Sequence, residues 1–525
     1  MQTRRNPNEA CGGCRESSTR KVPSLIGPVV SALLALLLAS PSEAEISSGT
    51  LAPNTEWETS FHVIETSKPG PTVFLTGGLH GDEPAGARAA EQIRHWHILR
   101  GRLVVLPRAN QPGLRDGTRH LPELARAESD LNRNFPKTGA HNESRSIIGR
   151  AIWSLVQKLN PDWVVDLHEG YHFHRIQPKS VGSTILASRP GDQHSRPFVT
   201  RMLAAVNTTI EDPRKHFTPL SGTADGSLTR AAAERLEANS LILETTTRDQ
   251  PLSMRTRQHR LMVRALFQDI GILGTEAPTM TLPGGERSLR VALYDGGGVG
   301  GSGPRNIEDV MGNIPHSLVW RVGPSDILEG ALSHFDVVIF PGGSGSRQAA
   351  ALKEAGRSRV REFVQSGGGF IGICAGAYLA AANYSWALKI GDYKTFCEKR
   401  EIPGVGPKSM WYRGPSSMVT MELSADGRRI LGNRRGLFPV RYHNGPIISA
   451  AGIKELPDFR VLAWFRSEVS RYKSQEGTMV DTPAIICSNF GKGRVLSISP
   501  HPESSRNHEN LHTLVARGIQ WASGK

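Results

Sequence analysis

The 525-residue sequence lacks several features that would reveal its function at once. No block of Lys and Arg with interleaved aromatic residues occurs, although the formal net charge is +14. This absence argues against nucleic acid as a partner, and we expect the excess positive charge on a solvated surface. No internal repeat is present, and no low-complexity segment occurs outside the N-terminal region. The length is too great for one ordinary core and predicts at least two domains.

Cysteine is scarce, with five residues in the whole chain. Cys11 and Cys14 lie in a segment that we expect to be removed, so we assign them no catalytic role. The other three, Cys374, Cys397 and Cys487, are an odd number, and at least one thiol is therefore unpaired within the chain. The sequence contains no dense disulfide framework of the kind that holds small secreted domains together.

The N-terminal region has the form of a signal peptide. Residues 22–42 carry no charge, include the apolar run 29–39 and follow several basic residues. Ser42-Glu43-Ala44 has the small-x-small form that a signal peptidase accepts, which predicts cleavage before Glu45 and export to the periplasm or the medium. Removal of this segment leaves a net charge of +12, since it holds five Lys/Arg and three Asp/Glu. A retained membrane anchor is the alternative.

Two α/β domains are predicted for the remaining chain, because short apolar runs alternate with longer amphipathic ones. Residues 45–275 form the first domain. Residues 276–288 contain two prolines, a Gly pair and no apolar periodicity, which indicates a linker. In the second domain, residues 289–525, apolar runs followed by glycine or proline predict buried strands of a parallel sheet, at 289–294, 335–340, 369–373 and 494–499.

Metal-ligating residues follow two apolar runs of the first domain. His80 and Glu83 lie in a glycine-rich turn after the run Val73–Thr76, and His168 follows the run Trp163–Leu167. Zinc accepts imidazole nitrogen and carboxylate oxygen, and catalytic sites commonly use three protein ligands. The spacing therefore predicts a zinc site at one sheet edge, with Asp166 as a carboxylate that orients the third ligand.

Four motifs occur in a familiar order: His-x-x-Glu at 80–83, Gly-Thr-Arg at 117–119, Asp-Leu-Asn-Arg-Asn-Phe-Pro at 130–136 and Asp-Leu-His at 166–168. This order resembles the M14 zinc carboxypeptidases and the succinylglutamate desuccinylase/aspartoacylase families. The resemblance covers residues 70 to about 275 and implies a mixed sheet with helices on both faces. The site residues that it implies are His80, Glu83 and His168 for one zinc ion, Arg119 to polarise the scissile carbonyl, Asn132 and Arg133 for a substrate carboxylate, and Glu244 as general base.

These roles agree with the chemistry of the residue types. The guanidinium of Arg133 can form paired hydrogen bonds with a carboxylate, and the amide of Asn132 adds geometric selectivity. Glu244 follows the apolar run Leu241–Leu243, where its carboxylate could take a proton from the attacking water. The predicted reaction is hydrolysis of an amide next to a carboxylate in a small peptide or N-acyl amino acid, with cell-wall peptide as one candidate.

A second reactive constellation lies in the C-terminal half. Gly372-Ile373-Cys374-Ala375-Gly376 joins an apolar strand to an Ala-rich segment, which is the cysteine form of a nucleophile elbow. The N-terminus of a following helix favours a thiolate. His501 and Glu503 follow another apolar run, so a triad of Cys374, His501 and Glu503 is predicted. A buried structural cysteine at a tight turn is the alternative.

These motifs resemble the class I glutamine amidotransferases, and Tyr294-Asp295-Gly296, Phe340-Pro341-Gly342-Gly343 and Cys374 to Tyr378 resemble most the biotin-protein ligase N-terminal branch. The resemblance spans about residues 289 to 522 and implies a flavodoxin-like parallel sheet. Glutamine-using members carry Gly-His-Gln or Gly-Leu-Gln after the nucleophile, whereas this chain has Gly376-Ala377-Tyr378. Glutaminase activity is therefore not expected. We expect this domain to bind a small ligand other than glutamine.

Three functions are compatible with the sequence. The leading hypothesis is an exported zinc carboxypeptidase or N-acyl amino acid deacylase with an accessory amidotransferase-like domain. The second is a binding protein in which neither domain catalyses, and Glu244 argues against it. The third is a cysteine-dependent amidohydrolase whose chemistry resides in the C-terminal domain.

Overall fold

The computed structural model describes residues 44–122, 124–139, 144, 146–188, 194–283 and 288–525. The predicted signal peptide, residues 1–44 with Cys11 and Cys14, lies outside the described residues except for Ala44. No helix within the described ranges is both long and apolar enough to cross a membrane.

The first sheet comprises eight strands in the described residues: β1 (Glu45–Leu51), β2 (Thr59–Glu65), β3 (Thr72–Gly77), β4 (Arg102–Leu106), β5 (Trp163–Gly170), β6 (Thr184–Ala187), β7 (Thr218–Ser221) and β8 (Asn239–Thr246). Their order is β1-β2-β4-β3-β5-β8-β6-β7. Strands β4, β3, β5 and β8 are parallel, whereas β2 and β6 run antiparallel to this central group. Every residue of β5 is buried, as expected for a central strand covered on both faces.

Helices cover both faces of this sheet. They are α1 (Pro84–Ile93), α2 (Gln111–Asp116), α3 (Arg126–Ser129), α4 (Ile147–Leu159), α5 (Arg196–Asn207), α6 (Leu228–Arg235) and α7 (Leu252–Asp269), with 3₁₀ turns at Leu131–Arg133 and Pro213–Lys215. Val73 and Leu75 of β3 face a core shared with α1, α5 and α7. Phe74, between them, faces the opposite core, shared with α4 and α6. The predicted mixed sheet with helices on both faces is confirmed.

The C-terminal half contains the remaining strands: β9 (Leu289–Tyr294), β10 (Ser317–Val322), β11 (Val337–Phe340), β12 (Gly369–Ile373), β13 (Tyr393–Thr395), β14 (Lys399–Ile402), β15 (Gly406–Ser409), β16 (Ser417–Leu423), β17 (Leu437–Tyr442), β18 (Ile448–Ala450), β19 (Arg460–Phe465), β20 (Pro483–Phe490) and β21 (Gly493–Ile498). Nine of them form one sheet in the order β10-β9-β11-β12-β21-β20-β19-β16-β17. Strands β13 and β18 pair with each other, as do β14 and β15.

The predicted parallel sheet accounts for the first five strands of this order, β10 to β21. Beyond β21 the sheet continues with four antiparallel strands, β20, β19, β16 and β17. Strand β16 alternates between buried and less buried residues, unlike the continuous apolar runs on which the parallel prediction rests. The second sheet is therefore parallel on one side and antiparallel on the other.

Six helices flank the second sheet in the described residues: α8 (Gly303–Met311), α9 (Pro324–Leu328), α10 (Gly345–Gln365), α11 (Ala375–Ala380), α12 (Ala425–Leu431) and α13 (His512–Ser523), with 3₁₀ turns at Ala331–His334 and Lys473–Gln475. Helices α8, α12 and α13 contribute to the core on one face. Helices α9, α10 and α11 contribute to the core on the other face. This arrangement leaves the carboxyl ends of β11 and β12 open for a site.

Charged contacts join the two halves of the chain. The guanidinium of Arg260 in α7 is fully buried and lies 2.5 Å from Asp326 Oδ1 in α9. Arg257, one turn earlier, lies 3.4 Å from the same oxygen. Arg88 of α1 pairs with Glu308 of α8 at 2.8 Å. Residues 276–283 and 288 of the predicted linker contain no helix or strand, but the regions on either side of it are in direct contact.

Candidate metal centre and a second cavity at a cysteine

Adjacent parallel strands bring the proposed zinc ligands together. His80 and Glu83 lie in the loop between β3 and α1, and His168 lies near the end of β5, which pairs with β3. This loop turns tightly at Gly81, where an added Cβ would lie 2.0 Å from the carbonyl carbon of Gly113. Only glycine allows that close approach. The carboxyl edge of the sheet thus holds all three side chains, each buried.

The three candidate ligands contact one another directly. Nδ1 of His80 lies 2.8 Å from Glu83 Oε1, Nδ1 of His168 lies 2.8 Å from Glu83 Oε2, and the two Nδ1 atoms are 3.1 Å apart. Donors bound tetrahedrally to zinc lie about 3.4 Å apart, given metal–ligand distances near 2.1 Å. Two imidazoles and one carboxylate at this separation fit a single zinc ion.

Carboxylates hold the other ring nitrogens of both histidines. Nε2 of His168 lies 2.7 Å from Asp166 Oδ2, and Nε2 of His80 lies 3.2 Å from Asp130 Oδ1. Burial acts to lower the pKa of His168, but Asp166 and Glu83 raise it well above its usual value. Such outer carboxylates fix the orientation of metal-binding imidazoles and increase their basicity. Sequence analysis identified Asp166 in this role but did not assign one to Asp130.

Glu244 lies beside the three candidate ligands. It is directly opposite His168 in the pairing of β8 with β5, and no described residue forms a hydrogen bond with its buried Oε2. Burial is the main cause that raises the pKa of Glu244 to about 8. A buried carboxylate with a free oxygen is a suitable proton acceptor once positive charge is nearby.

The three residues proposed to hold the substrate have different environments. Nη1 of Arg119 donates to Glu83 Oε1 at 2.7 Å. Asn132 is committed within the protein, because its Oδ1 accepts from the backbone N–H of Leu228 at 3.1 Å and its Nδ2 lies 3.1 Å from His168 Nε2. Arg133 lines the cavity and donates from one nitrogen to the Asn132 carbonyl. The geometry thus favours Arg133 over Asn132 for binding a carboxylate.

Glu169 is a structural member of the site that sequence analysis did not identify. Its backbone N–H donates to Glu83 Oε2 at 3.0 Å, and its carboxylate accepts from the N–H of Ala85 at 2.8 Å. Arg255 of α7 forms a close ion pair with the same carboxylate. The one sequence signal for Glu169 was its position directly after His168.

The metal site opens into a cavity of about 580 Å³.

Cys374 has the strained backbone of a nucleophile elbow. It precedes α11 with φ 51° and ψ −97°, which is unusual for a residue with a side chain. An added Cβ at Gly376 would lie 2.1 Å from the Phe340 carbonyl oxygen, so the turn needs glycine there. The thiol donates to the carbonyl of His443 at 3.4 Å. All three cysteines of the described chain are free.

The predicted partners of Cys374 lie beside it. Nδ1 of His501 is 2.8 Å from Glu503 Oε1, which leaves Nε2 for the thiol. Burial acts to lower the pKa of His501, but Glu503 and Cys374 raise it to about 10. The structure thus brings the three residues of the predicted triad together at a cavity of about 690 Å³.

Comparison with known families assigns each half separately. Residues 69–257 match the model of the succinylglutamate desuccinylase/aspartoacylase catalytic domain. Residues 327–518 match the model of the biotin-protein ligase N-terminal family. Each model thus matches a different half of the chain. The expected resemblances to the succinylglutamate desuccinylase/aspartoacylase family and to the biotin-protein ligase N-terminal family are therefore confirmed.

Individual relatives cover only parts of the chain. N-alpha-acetyl-L-2,4-diaminobutyric acid deacetylase of Halomonas elongata is 34% identical over 104 residues, which are 19% of this chain and 29% of that protein. The tripeptide-bound cell shape determinant Csd4 of Helicobacter pylori is 21% identical over 44% of this chain and 56% of that chain, with a TM-score of 0.35. A succinylglutamate desuccinylase/aspartoacylase of Rhodobacter sphaeroides is 21% identical over 44% of this chain and 66% of that chain, with a TM-score of 0.30.

Proposed function

We propose that the first half of the chain is a zinc-dependent hydrolase that cleaves an amide bond next to a carboxylate. The observation that best supports this proposal is the cluster of His80, Glu83 and His168 with Glu244 at one sheet edge. A hydrolytic zinc site needs three ligands and a proton acceptor beside them. All four side chains border the same cavity.

Each residue at the cavity has a role in the proposed reaction. Zinc bound by His80, Glu83 and His168 supplies Lewis acidity. Glu244 accepts a proton from the attacking water, and positive charge at the ligand cluster lowers its pKa from about 8 toward the neutral range. Arg119, which lines the cavity beside Glu83, would donate to the developing oxyanion.

The proposed substrates are N-acyl amino acids and short peptides, including cell-wall peptide. Arg133 supports this class because it lines the cavity and a guanidinium forms paired hydrogen bonds with a carboxylate. The Halomonas relative is named as a deacetylase of an N-acetylated amino acid. The match to a deacylase-type catalytic domain is consistent with the same bond type.

We also propose that the protein acts outside the cytoplasm. The charge-free stretch 22–42 and the Ser42-Glu43-Ala44 site support export. The expected result is a mature chain that begins at Glu45, as read by mass spectrometry of the N-terminal peptide after expression in a Gram-negative host. A chain that begins at Met1 in the membrane fraction would support the anchored alternative instead.

A second candidate function is a cysteine-dependent amidohydrolase in the C-terminal half. The position of Cys374 and His501 in the same cavity lining, and the contact of His501 with Glu503, favour it. The third candidate is a binding protein without catalysis. It predicts that the wild-type protein hydrolyses no substrate, and that replacement of Glu244 therefore has no effect on hydrolysis.

The test compares four forms of the mature protein. We expect one zinc per wild-type chain by elemental analysis and hydrolysis of some members of a panel of N-acetyl amino acids and di- and tripeptides. Glu244→Gln should retain zinc and lose activity by about 100- to 10,000-fold, since it removes a general base. Cys374→Ala should retain both zinc and activity.

The matched control is Glu211→Gln, the same chemical change at a side chain that is 96% exposed. It should behave as wild type. Wild-type protein without zinc would refute the metal site. Loss of turnover in Cys374→Ala, but not in Glu244→Gln, would assign the chemistry to the second half.

A further inference from the structure

The cavity at Cys374 is separate from the metal site. Its lining comes from the second half alone, whereas the cavity at the metal ligands is lined by the first half. At about 690 Å³ it falls within the size range of small-molecule sites. Besides the predicted triad, it contains side chains whose chemistry indicates the ligand.

One part of the cavity carries unbalanced positive charge. Arg441 of β17 lines it, and its Nε donates to Ser416 Oγ at 2.9 Å. No acidic residue of the described chain forms an ion pair with Arg441. Glu503, the one acidic residue in the lining, is paired with His501, whose raised pKa makes that pair neutral overall. Arg441 is therefore a cation of the lining without a paired carboxylate.

The N-terminus of α10 opens into the same cavity. The helix begins at Gly345 and is kinked at Lys353, so its first straight segment comprises residues 345–352, and its N-cap Ser344 forms no side-chain cap. Ser344 Oγ lies 3.3 Å from Ser346 Oγ instead. The N–H groups of the first turn therefore lack a side-chain acceptor, and with the helix dipole they favour an anion. This feature adds to Arg441 and is not sufficient without it.

Another part of the cavity is aromatic. The rings of Tyr384 and Trp386 are stacked with centroids 4.5 Å apart and planes at 19°. Trp411 and Tyr412 also line the cavity, and the Trp411 side chain is largely exposed. Ring faces at a cavity wall favour a flat or apolar group of a ligand.

Two buried polar atoms at the cavity have no partner in the described chain. They are the hydroxyl oxygen of Tyr378 and Oε2 of Glu503, and both residues belong to the lining. Buried polar groups in native proteins are nearly always hydrogen-bonded, so these atoms indicate an additional molecule in the site. The hydroxyl can donate to a ligand acceptor, and the carboxylate can accept from a ligand N–H.

We propose that this cavity is a second small-molecule site, and that its ligand combines a carboxylate with a flat apolar group joined by a polar linkage such as an amide. Arg441 holds the carboxylate, the Tyr384–Trp386 wall packs against the flat group, and Tyr378 and Glu503 bond the linkage near Cys374. The metal site takes no part in this inference, which stands or falls independently of the zinc hydrolase.

A pair of alkylating reagents tests the charge recognition. Iodoacetate and iodoacetamide react in the same way, the cysteine sulfur displacing iodide to form a sulfur–carbon bond, but only iodoacetate carries a carboxylate. The rate ratio of iodoacetate to iodoacetamide at Cys374, read by peptide mass spectrometry, should exceed the ratio for free 2-mercaptoethanol by about 10-fold. That factor is typical of one charge-assisted hydrogen bond.

Variants attribute the effect to Arg441. Arg441→Gln should reduce the ratio about 10-fold. Loss of this charge near Cys374 also changes the reactivity of the thiol toward both reagents, and that common effect cancels in the ratio. Circular dichroism of the variant checks that the chain remains folded. Arg441→Lys should retain most of the ratio. The control Arg429→Gln, at a side chain that is 69% exposed in the same half, should have no effect. A wild-type ratio equal to that of 2-mercaptoethanol, an unchanged ratio in Arg441→Gln, or no reaction at Cys374 would overturn the proposal.

Protection tests the combined ligand. Hippurate, which carries a carboxylate, an amide and a phenyl ring, should slow iodoacetamide alkylation of Cys374 at concentrations about 10-fold below those needed for benzamide or N-acetylglycine. Protection by benzamide equal to that by hippurate would refute the role of the carboxylate. Protection by N-acetylglycine equal to that by hippurate would refute the role of the aromatic wall.

Discussion

Replacement of Asp326 by asparagine tests how strongly the two halves depend on each other. Asp326 in α9 is 2% exposed and faces two guanidinium groups of α7. One of them, Arg260, is completely buried. The substitution keeps the shape and one acceptor oxygen of Asp326 but removes the negative charge. It leaves the Arg260 charge buried without a balancing carboxylate at 2.5 Å.

The expected loss follows from that burial. Removal of one partner from a buried ion pair destabilises a protein by about 3 to 5 kcal/mol. We expect about 3 kcal/mol, because asparagine still accepts a hydrogen bond and Arg257 has Glu329 as a second partner. The free energy of unfolding is measured by urea titration in EDTA with circular dichroism, since urea, unlike guanidinium, does not screen charges. If separate transitions occur, their free energies are added.

Two further variants define what the result means. Asp481→Asn removes a 69% exposed carboxylate from its pair with Arg466 and should change stability by less than about 1 kcal/mol. The double variant Arg260→Met with Asp326→Leu removes both charges and should recover part of the loss. About 1 kcal/mol each remains lost for the hydrogen bonds from the Gly323 N–H to Asp326 and from Arg260 to Gln92. An Asp326→Asn protein within 1 kcal/mol of wild type would refute the reasoning.

Three more predictions concern the metal half. Asp166→Asn weakens the acceptor on His168 Nε2 and should lower zinc affinity about 10- to 100-fold in competition with a chelator. Gly86→Ala places a Cβ 2.3 Å from the Leu167 carbonyl oxygen, directly before His168, so zinc content and stability should both fall, stability by about 3 kcal/mol. Burial, with His168 and Arg255, lowers the pKa of His259 to about 3. Below pH 6.5, His259 therefore gains a proton in the unfolded chain but not in the native chain. This difference contributes about 2 kcal/mol of destabilisation to the EDTA-treated protein at pH 5 and nothing above pH 7.5.

Each of these predictions has a result that contradicts it. Unchanged zinc affinity in Asp166→Asn would show that Asp166 does not orient His168. Gly312→Ala, where the nearest atom outside the chain neighbours would be 3.5 Å from the new Cβ, should be nearly neutral, and equal losses at Gly86 and Gly312 would contradict the steric argument. In His259→Asn, the slope of the unfolding free energy against pH between pH 6.5 and 4 should decrease by the equivalent of one proton. An unchanged slope would contradict the lowered pKa of His259.

The sequence by itself was enough to predict which reactive side chains lie together at the two sites. His80, Glu83, His168 and Glu244 were predictable because each follows an apolar run, and the carboxyl ends of neighbouring parallel strands meet at one edge. Cys374 was predictable because its flanking glycines permit a strained turn that few other residues allow. In these cases a local pattern specifies both the backbone and the position of the reactive group.

Only the tertiary structure decided what surrounds that chemistry. Arg441 and the Tyr384–Trp386 pair belong to the part of the sequence between α11 and β19, whose half-buried strands have weak apolar patterns. Only the packing of the chain brings these side chains close to Cys374. The pairing of Arg260 with Asp326 joins residues far apart in the chain, and its strength depends on exclusion of water from both. Burial, orphaned polar atoms and charge balance are properties of the packed chain, since they depend on which distant side chains meet.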